Sequence, residues 1–145
     1  MKLVFAFALN NDHFFEKKHF GEAENFVLYT FENEKLAFSE TLPNPYASME
    51  EENGHGSEKK GKAIIELLKN RKVSILVSRQ FGKNIRRVNQ FFIPVIISEE
   101  HPETVVPILE KHIQWLQDEQ ALKTSDFMLF RIKNGVLKSQ INPAG

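Results

Sequence analysis

Residues 61–98 read GKAIIELLKNRKVSILVSRQFGKNIRRVNQFFIPVIIS. Two short runs rich in Val and Ile, at 73–78 and 93–98, are separated by enough chain for a helical crossover. This arrangement is typical of parallel strands that are buried on both faces. Ligands of such units usually lie beyond the carboxyl ends of the strands, near helix N-termini. The turn at residues 78–84 is therefore the first candidate region for function.

Further strands and helices are predicted on both sides of this unit. Apolar runs at 3–9, 26–31, 36–42, 127–132 and 137–141 predict one amino-terminal strand and two hairpins, the second with a type I′ turn at Asn134-Gly135. A helix with a buried stripe precedes residue 73, and a long helix begins near Pro102, in which Pro107 fits only in the first turn. The order β, ββ, α, β, α, β, α, ββ predicts a mixed sheet with helices on its faces.

Length and composition narrow the possible partners and compartment. A chain of 145 residues suits one domain. Lys plus Arg and Asp plus Glu both number 19, so no net charge attracts nucleic acid or an anionic membrane. The first apolar run is too short to span a bilayer, and the absence of cysteine fits a reducing cytoplasm. We expect a cytoplasmic protein with no nucleic-acid or membrane partner.

The sequence offers no catalytic constellation. Two-metal phosphoryl chemistry needs clustered carboxylates, and neither the first strand nor residues 73–78 carry an acid. There is no cysteine nucleophile, no Gly-x-Ser-x-Gly turn, and the glycine-rich loop is too short for a Walker motif. We therefore expect that the protein is not an enzyme.

Three histidines are candidates for a metal site. His13, His19 and His55 come from two loops that this fold would bring to one end of the sheet. Neutral imidazole binds transition metals well, but the spacing matches no compact metal motif. Two interpretations remain open. Either His19 or His55 ligates a metal or cluster, or these are loop residues satisfied by water or backbone groups.

Glycines and basic residues near the same loops suggest an anion pocket. They are Gly54, Gly56, Lys59, Lys60, Lys62, Arg79, Gly82, Lys83, Arg86 and Arg87. Glycine allows backbone N–H groups to approach a ligand, and arginine offers a forked donor. The alternatives are that the lysines lie on a solvated helical face, that Gly82 serves a tight turn, and that Asn84 caps the second helix.

Several ordered motifs carry a resemblance to a known family. The segment HFGEAENFVLY at 19–29 resembles the dinitrogenase iron-molybdenum cofactor biosynthesis family, in which a first strand leads to a His-Phe-Gly-x-Ala loop and an aromatic-rich hairpin. The hairpin ends in Asn-Pro, as at Asn44-Pro45. The likeness continues through Gly54-His55-Gly56, the helix at 61–68, and a strand leading to Gly82 and Asn84. It covers residues 1–102, with the following helix as the usual ending.

The resemblance implies a ribonuclease H-like α/β sheet and a protein that binds or carries metal-cluster cofactors. It implies cofactor-binding roles for His19, Phe20, Gly21, Gly54, His55, Gly56, Arg79, Gly82 and Asn84, with His19 and His55 as the metal ligands. This chain departs from the family pattern at Arg79-Gln80, where a Gly-Gly pair is common, and at Lys83, where proline is common. Arg79 closes space that a bulky cluster needs, yet adds a cation suited to an anion.

We therefore predict one α/β domain over residues 1–122, extended by an added C-terminal β-hairpin within 123–145. The predicted function is non-catalytic binding or carriage of a small anionic ligand, such as a molybdenum- or iron-containing cluster or its precursor. The alternative is a protein-interaction module that uses the C-terminal hairpin to bind a protein partner or a second copy, with no cofactor.

Overall fold

A computed structural model describes residues 2–48 and 56–140. The strands are β1 Val4–Leu9, β2 Asn25–Glu32, β3 Lys35–Pro43, β4 Ile75–Ser78, β5 Ile93–Ile96, β6 Leu129–Lys133 and β7 Val136–Gln140. The helices are α1 Gly56–Lys69, α2 Ile85–Val88, α3 Pro102–Lys111 and α4 Ile113–Leu122. Single 3₁₀ turns at Phe20–Glu22 and Gly82–Asn84 complete the regular structure.

All seven strands form one mixed sheet in the order β3-β2-β1-β4-β5-β6-β7. The central strands β1, β4, β5 and β6 run parallel, and an antiparallel hairpin closes each side. This confirms the predicted α/β class, the parallel pair of β4 and β5, and both hairpins. The C-terminal hairpin continues the same sheet, because β6 pairs directly with β5.

Alternation along the central strands builds two cores. Phe5 and Phe7 of β1 face the core beneath α3 and α4, whereas Ala6 and Ala8 face the core beneath α1. Successive side chains of a strand point to opposite faces, so one strand supplies both. The sheet is therefore covered on both sides, as the continuous apolar runs predict.

Two hairpin turns have the left-handed backbone that two-residue connections require. Asn134 and Gly135 have φ of 54° and 77°, and Asn33 and Glu34 have φ of 52° and 64°. Positive φ at both central residues is the signature of a type I′ turn, whose twist matches that of the flanking strands. The predicted turn at Asn134-Gly135 is confirmed.

The long helix that was predicted from Pro102 is instead two helices. α3 ends at Lys111 and α4 begins at Ile113, with His112 between them at φ −107° and ψ 20°. Pro107 lies inside α3 rather than in its first turn. Proline has no N–H to donate, so α3 lacks one of its backbone hydrogen bonds there, and the ring of Pro107 is exposed. No helix within the described residues is long and apolar enough to cross a bilayer.

The carboxyl ends of β1, β4 and β5 lie along one edge of the sheet, which we call the rim. The loop after β1 and the loop after β4 are joined there by a bridge between His19 and Gln80. The Phe20 N–H donates to the Gln80 carbonyl at 2.9 Å. These contacts fix the position of the first loop over the end of the parallel sheet.

Candidate functional site

His19 lies at the rim where two loops meet. It directly precedes the 3₁₀ turn, whose first residue, Phe20, is fully buried. The ring centroids of Phe20 and Phe81 are 5.7 Å apart, and Phe81 belongs to the loop after β4. The apolar neighbour of His19 therefore anchors the loop, while its imidazole remains about 27% exposed.

A carboxylate and a buried ammonium support the imidazole. The Nε2 of His19 is 3.7 Å from Oε1 of Glu22, and the Nζ of Lys60 is 3.1 Å from the same oxygen. Lys60 is only 1% exposed, and it also donates to the carbonyl of Ala47 at 3.0 Å. One ammonium thus connects α1, the 3₁₀ turn and the chain after β3. We call His19, Glu22 and Lys60 the His19 cluster.

Glycines allow the backbone to approach this imidazole. A Cβ on Gly21 would lie 3.2 Å from Nδ1 of His19, and a Cβ on Gly82 would lie 3.5 Å from the His19 Cβ. Gly82 also has φ of 62°, a conformation that side chains with a Cβ rarely adopt. Gly82 therefore serves the tight turn that was one of its predicted roles, and it also borders His19.

Asn84 packs against α1 beneath the rim. A Cβ on Gly61 would lie 2.7 Å from Oδ1 of Asn84, so the two elements touch because Gly61 has no side chain. The same oxygen accepts a hydrogen bond from Arg87 at 3.0 Å. Asn84 stands at the N-cap position of α2, but its side chain makes no capping hydrogen bond. The predicted capping role is therefore wrong, because this side chain is directed to Arg87 and Gly61.

Arg79 is not part of the His19 cluster. It lines a separate cleft with Lys17 and with residues that precede α3. The cause is strand alternation, since Val77, two residues earlier, faces the core beneath α3 and α4. His19 does not line this cleft, whereas the sequence predicts one pocket lined by both His19 and Arg79. Any binding role of Arg79 stays a prediction.

The structure describes only some of the remaining predicted site residues. Gly54 and His55 lie outside the described residues, and Gly56 is the first residue of α1. His13, from the same loop as His19, is exposed and has φ of 69°. The ligand roles predicted for His19 and His55 stay predictions.

The described residues bring few metal-ligating side chains together. Over residues 2–48 and 56–140, no three His, Cys, Asp or Glu side chains gather closely enough to hold a metal ion. The sequence has no cysteine either. A cluster that arrives with its own bridging ligands needs few protein donors, and an imidazole nitrogen is a donor that transition metals accept.

Lys60 is the member of the His19 cluster whose burial the sequence did not predict. The sequence predicts it, with Lys59 and Lys62, either in an anion pocket or on a solvated helical face. Its spacing indicates burial, because Lys60 precedes the buried residues Ile64 and Leu68 by four and eight positions. Residues at that spacing share one face of a helix.

Comparisons with known proteins give one match. Neither the curated proteins nor the solved structures contain a chain that matches this one. A family model described as dinitrogenase iron-molybdenum cofactor matches residues 1–114. The match spans β1 to β5, both 3₁₀ turns and α3, and it includes the whole His19 cluster. The chain therefore belongs to the dinitrogenase iron-molybdenum cofactor family.

Proposed function

We propose that this protein binds and carries an anionic ligand without catalysing a reaction. The ligand is a preassembled metal cluster, or an oxo- or thioanion precursor of one, and it binds at the side chains of the His19 cluster. Family membership connects the chain with the biosynthesis or binding of the iron-molybdenum cofactor. The observation that carries the proposal is the partly exposed imidazole of His19, fixed at the rim between Gly21 and Gly82.

The imidazole of His19 is held in position before a ligand arrives. Its loop is anchored by Phe20 and by the bridge to Gln80, so little conformational entropy remains to be lost when a ligand arrives. Glycine on both sides lets the backbone lie close to the imidazole, because a Cβ on Gly21 would be 3.2 Å from Nδ1 of His19. A donor that is held in place before the ligand arrives is what a binding site needs.

The surrounding charges are compatible with an anion. Glu22 alone would repel it, but the ammonium of Lys60 lies 3.1 Å from this carboxylate and offsets its charge. Lys83 and Arg86, on the segment that follows Gly82, are exposed cations. Cations at the margin of a site raise the rate at which anions arrive more than they raise affinity.

Tetrathiomolybdate provides a direct test because its visible absorption reports on its surroundings. We expect the wild-type protein to shift that absorption and to gain thermal stability as the anion is added. His19→Ala should weaken binding at least tenfold, whereas His13→Asn should bind as the wild type does. His13→Asn removes an imidazole from the same loop, and asparagine tolerates the left-handed backbone at that position.

Circular dichroism and urea unfolding of both variants establish that each is folded. If His19→Ala binds as tightly as the wild type, or if the wild type does not bind the anion, the proposed carrier role at His19 is wrong. Equal weakening by His13→Asn would show that loop disruption, rather than the loss of a ligand, explains the effect.

A second candidate function is supported by the sheet edge. Within the part of the chain that the structure describes, β7 pairs only with β6, so its outer edge can accept another strand. Beside it, α4 exposes Trp115 and Leu122, the latter 80% exposed, next to a groove of about 290 Å³. A second copy of the chain is the partner to test first.

Light scattering across a range of protein concentrations tests this function. If the edge and groove form a dimer contact, the mass should rise toward twice that of the monomer, and Leu122→Glu should lower it. Leu122→Glu should leave tetrathiomolybdate binding unchanged, because the groove lies far along the chain and the sheet from His19. A constant monomer mass would count against self-association.

A further inference from the structure

A second cleft opens at the rim on the side of α3, with a volume of about 360 Å³. It lies beyond the carboxyl ends of β1 and β4, between the loop after β1 and the segment before α3. Crevices at this end of parallel strands are the usual ligand sites of α/β sheets. Its volume is at the small end of the range for ligand pockets, which is about 300–1,000 Å³.

Two basic side chains line the cleft. They are the partly buried Arg79 and the exposed Lys17. No carboxylate among residues 2–48 and 56–140 lies within ion-pairing distance of either. A guanidinium can donate two parallel hydrogen bonds to one carboxylate, so Arg79 offers a fork-shaped site for that group.

Acidic side chains line the same cleft. They are Asp12, Glu99 and Glu100. Glu100 accepts a hydrogen bond from the Ser98 N–H at 2.7 Å, while Asp12 and Glu99 form no ion pair with any described residue. Three carboxylates against two basic groups disfavour a simple anion, and the two basic groups disfavour a simple cation. A ligand with both charges satisfies both sets.

An aromatic wall supplies the apolar part of the cleft. Phe14 is 49% exposed, and its ring centroid lies 5.1 Å from that of His101, which immediately precedes α3. The Oδ1 of Asn10 accepts hydrogen bonds from the N–H groups of Asp12 and Phe14, at 2.9 and 3.1 Å. The Asn10 N–H donates to the Phe14 carbonyl at 2.8 Å, so the loop is held in place before any ligand arrives.

We propose that this cleft binds a small zwitterion of the α-amino acid type. The ligand carboxylate binds Arg79, its ammonium group faces Asp12 and Glu99, and its side chain packs on the rings of Phe14 and His101. The proposal does not depend on cluster binding at His19, because the two sites share no side chain.

The test uses L-phenylalanine, L-leucine and L-methionine as probes, with binding followed by amide chemical shifts of the ¹⁵N-labelled full chain. We expect at least one of the three to move the amide signals of Arg79 and His101. Two analogues of phenylalanine serve as controls: 3-phenylpropionate lacks the ammonium group and phenethylamine lacks the carboxylate. Each should bind at least tenfold more weakly than the amino acid.

Three variants locate the site. Arg79→Gln, and a double variant with Asp12→Asn and Glu99→Gln, should each weaken binding at least tenfold. Lys138→Gln on β7 removes an exposed charge far from the cleft and should have no effect. His19→Ala should bind the amino acid as the wild type does, so a failure of cluster binding at His19 and a failure of the amino-acid site are distinguishable.

Three results would overturn the amino-acid site. The first is that none of the three amino acids binds. The second is that 3-phenylpropionate or inorganic phosphate binds as well as the best amino acid, which would make the cleft an anion site. The third is that Arg79→Gln, folded as judged by its amide spectrum, binds the amino acid as tightly as the wild type.

Discussion

Lys60 carries a charge that is almost completely removed from water, at 1% exposure. Its ammonium is satisfied by Glu22 at 3.1 Å and by the Ala47 carbonyl at 3.0 Å. Removing one partner of such a pair is costly because the other group loses its compensation. Glu22 is still partly exposed, at 28%, so water takes over part of that role.

We therefore expect Lys60→Met to lower the free energy of unfolding by about 1–3 kcal/mol, as measured by urea denaturation. Lys59→Met is the matched control, because Lys59 lies on the same helix and is exposed. It should change the free energy by less than about 0.5 kcal/mol. Equal stability of the two variants would mean that the buried ion pair contributes nothing net.

Tyr29 makes stability depend on alkaline pH. Burial and, second, the carboxylate of Glu103 raise the pKa of Tyr29 above its usual value of 10.0. The unfolded chain therefore releases this proton at a lower pH than the folded protein does. Above pH 10.0 the folded state holds more protons, so stability falls as the pH rises toward the folded pKa and is unaffected by this group below that window.

We expect Tyr29→Phe to be less sensitive to high pH than the wild type. Urea midpoints measured from about pH 9 to about pH 11 should fall more steeply for the wild type, since phenylalanine has no proton to lose. Glu103→Gln should reduce the fall in part, because it removes the smaller of the two causes. Parallel pH profiles of wild type and Tyr29→Phe would contradict this account.

Single residues also show what the sequence could and could not predict. The motif HFG at 19–21 and Gly82 were recognised from type and order, and the structure places them in contact. The burial of Lys60 was not predicted, because lysine is usually exposed and this expectation was preferred to the helical spacing of Lys60. The separation of Arg79 from His19 depends on which face of β4 a residue follows, which the order of motifs does not encode.

Among the elements, α1 and the segment before α2 pack so closely that the contact has no room for an additional methyl group on α1. Replacing glycine with alanine inside a helix usually stabilises a protein by about 0.5–1 kcal/mol. At Gly61 the new Cβ would lie 2.7 Å from the buried Asn84 side chain. Overpacking costs about 1–3 kcal/mol, so the clash outweighs the gain in helix propensity.

We expect Gly61→Ala to lower the free energy of unfolding, against the usual trend for helical glycines. Adding Asn84→Ala should remove the clash, so the double variant should be more stable than the sum of the single changes by about 0.5–3 kcal/mol. Urea denaturation of the four proteins gives this coupling energy. Additive effects, or a stabilising Gly61→Ala, would show that Asn84 moves aside without cost.

The C-terminal hairpin lies beyond the family match but inside the sheet. Four apolar side chains of this hairpin and the residues just before it are buried in the core beneath α3 and α4: Phe127, Phe130, Ile132 and Leu137. Burial of each contributes about 1.5–3 kcal/mol, and the stability of a whole domain is only about 5–15 kcal/mol.

We therefore expect a chain truncated after Thr124 to lack a cooperative unfolding transition by circular dichroism. The matched control is Asn134→Asp, a change at the tip of the hairpin that keeps a residue tolerant of the left-handed backbone. It should unfold close to the wild type. A truncated chain with the midpoint of the full protein would show that residues 1–124 fold without β6 and β7.

Element types were predicted well because their signals are local. Strands are predicted from short signals, namely apolar runs of a few residues and the turns between them. These signals predict all seven strands. The break at His112 was not predictable from periodicity, since Val105, Leu109 and Leu116 keep a helical spacing across it and remain buried. The ribonuclease H-like type implied by the resemblance stays a prediction.

In the molecule as a whole, the two cores share the strands of one sheet. β1 gives Phe5 to one face and Ala6 to the other, and β4 gives Val77 and Leu76 in the same way. Loss of packing on either face therefore disturbs the strands that the other face needs. This arrangement predicts one cooperative transition for the whole sheet.

Leu68→Ala in α1 and Leu109→Ala in α3 test that coupling, because each truncates a fully buried side chain on a different face. Each should cost about 2–5 kcal/mol. Trp115 in α4 reports on one face only, and circular dichroism reports on the whole chain. We expect the two probes to give the same urea midpoint in both variants. If Leu68→Ala lowered the midpoint by circular dichroism but left that of Trp115 fluorescence unchanged, the two faces would unfold independently.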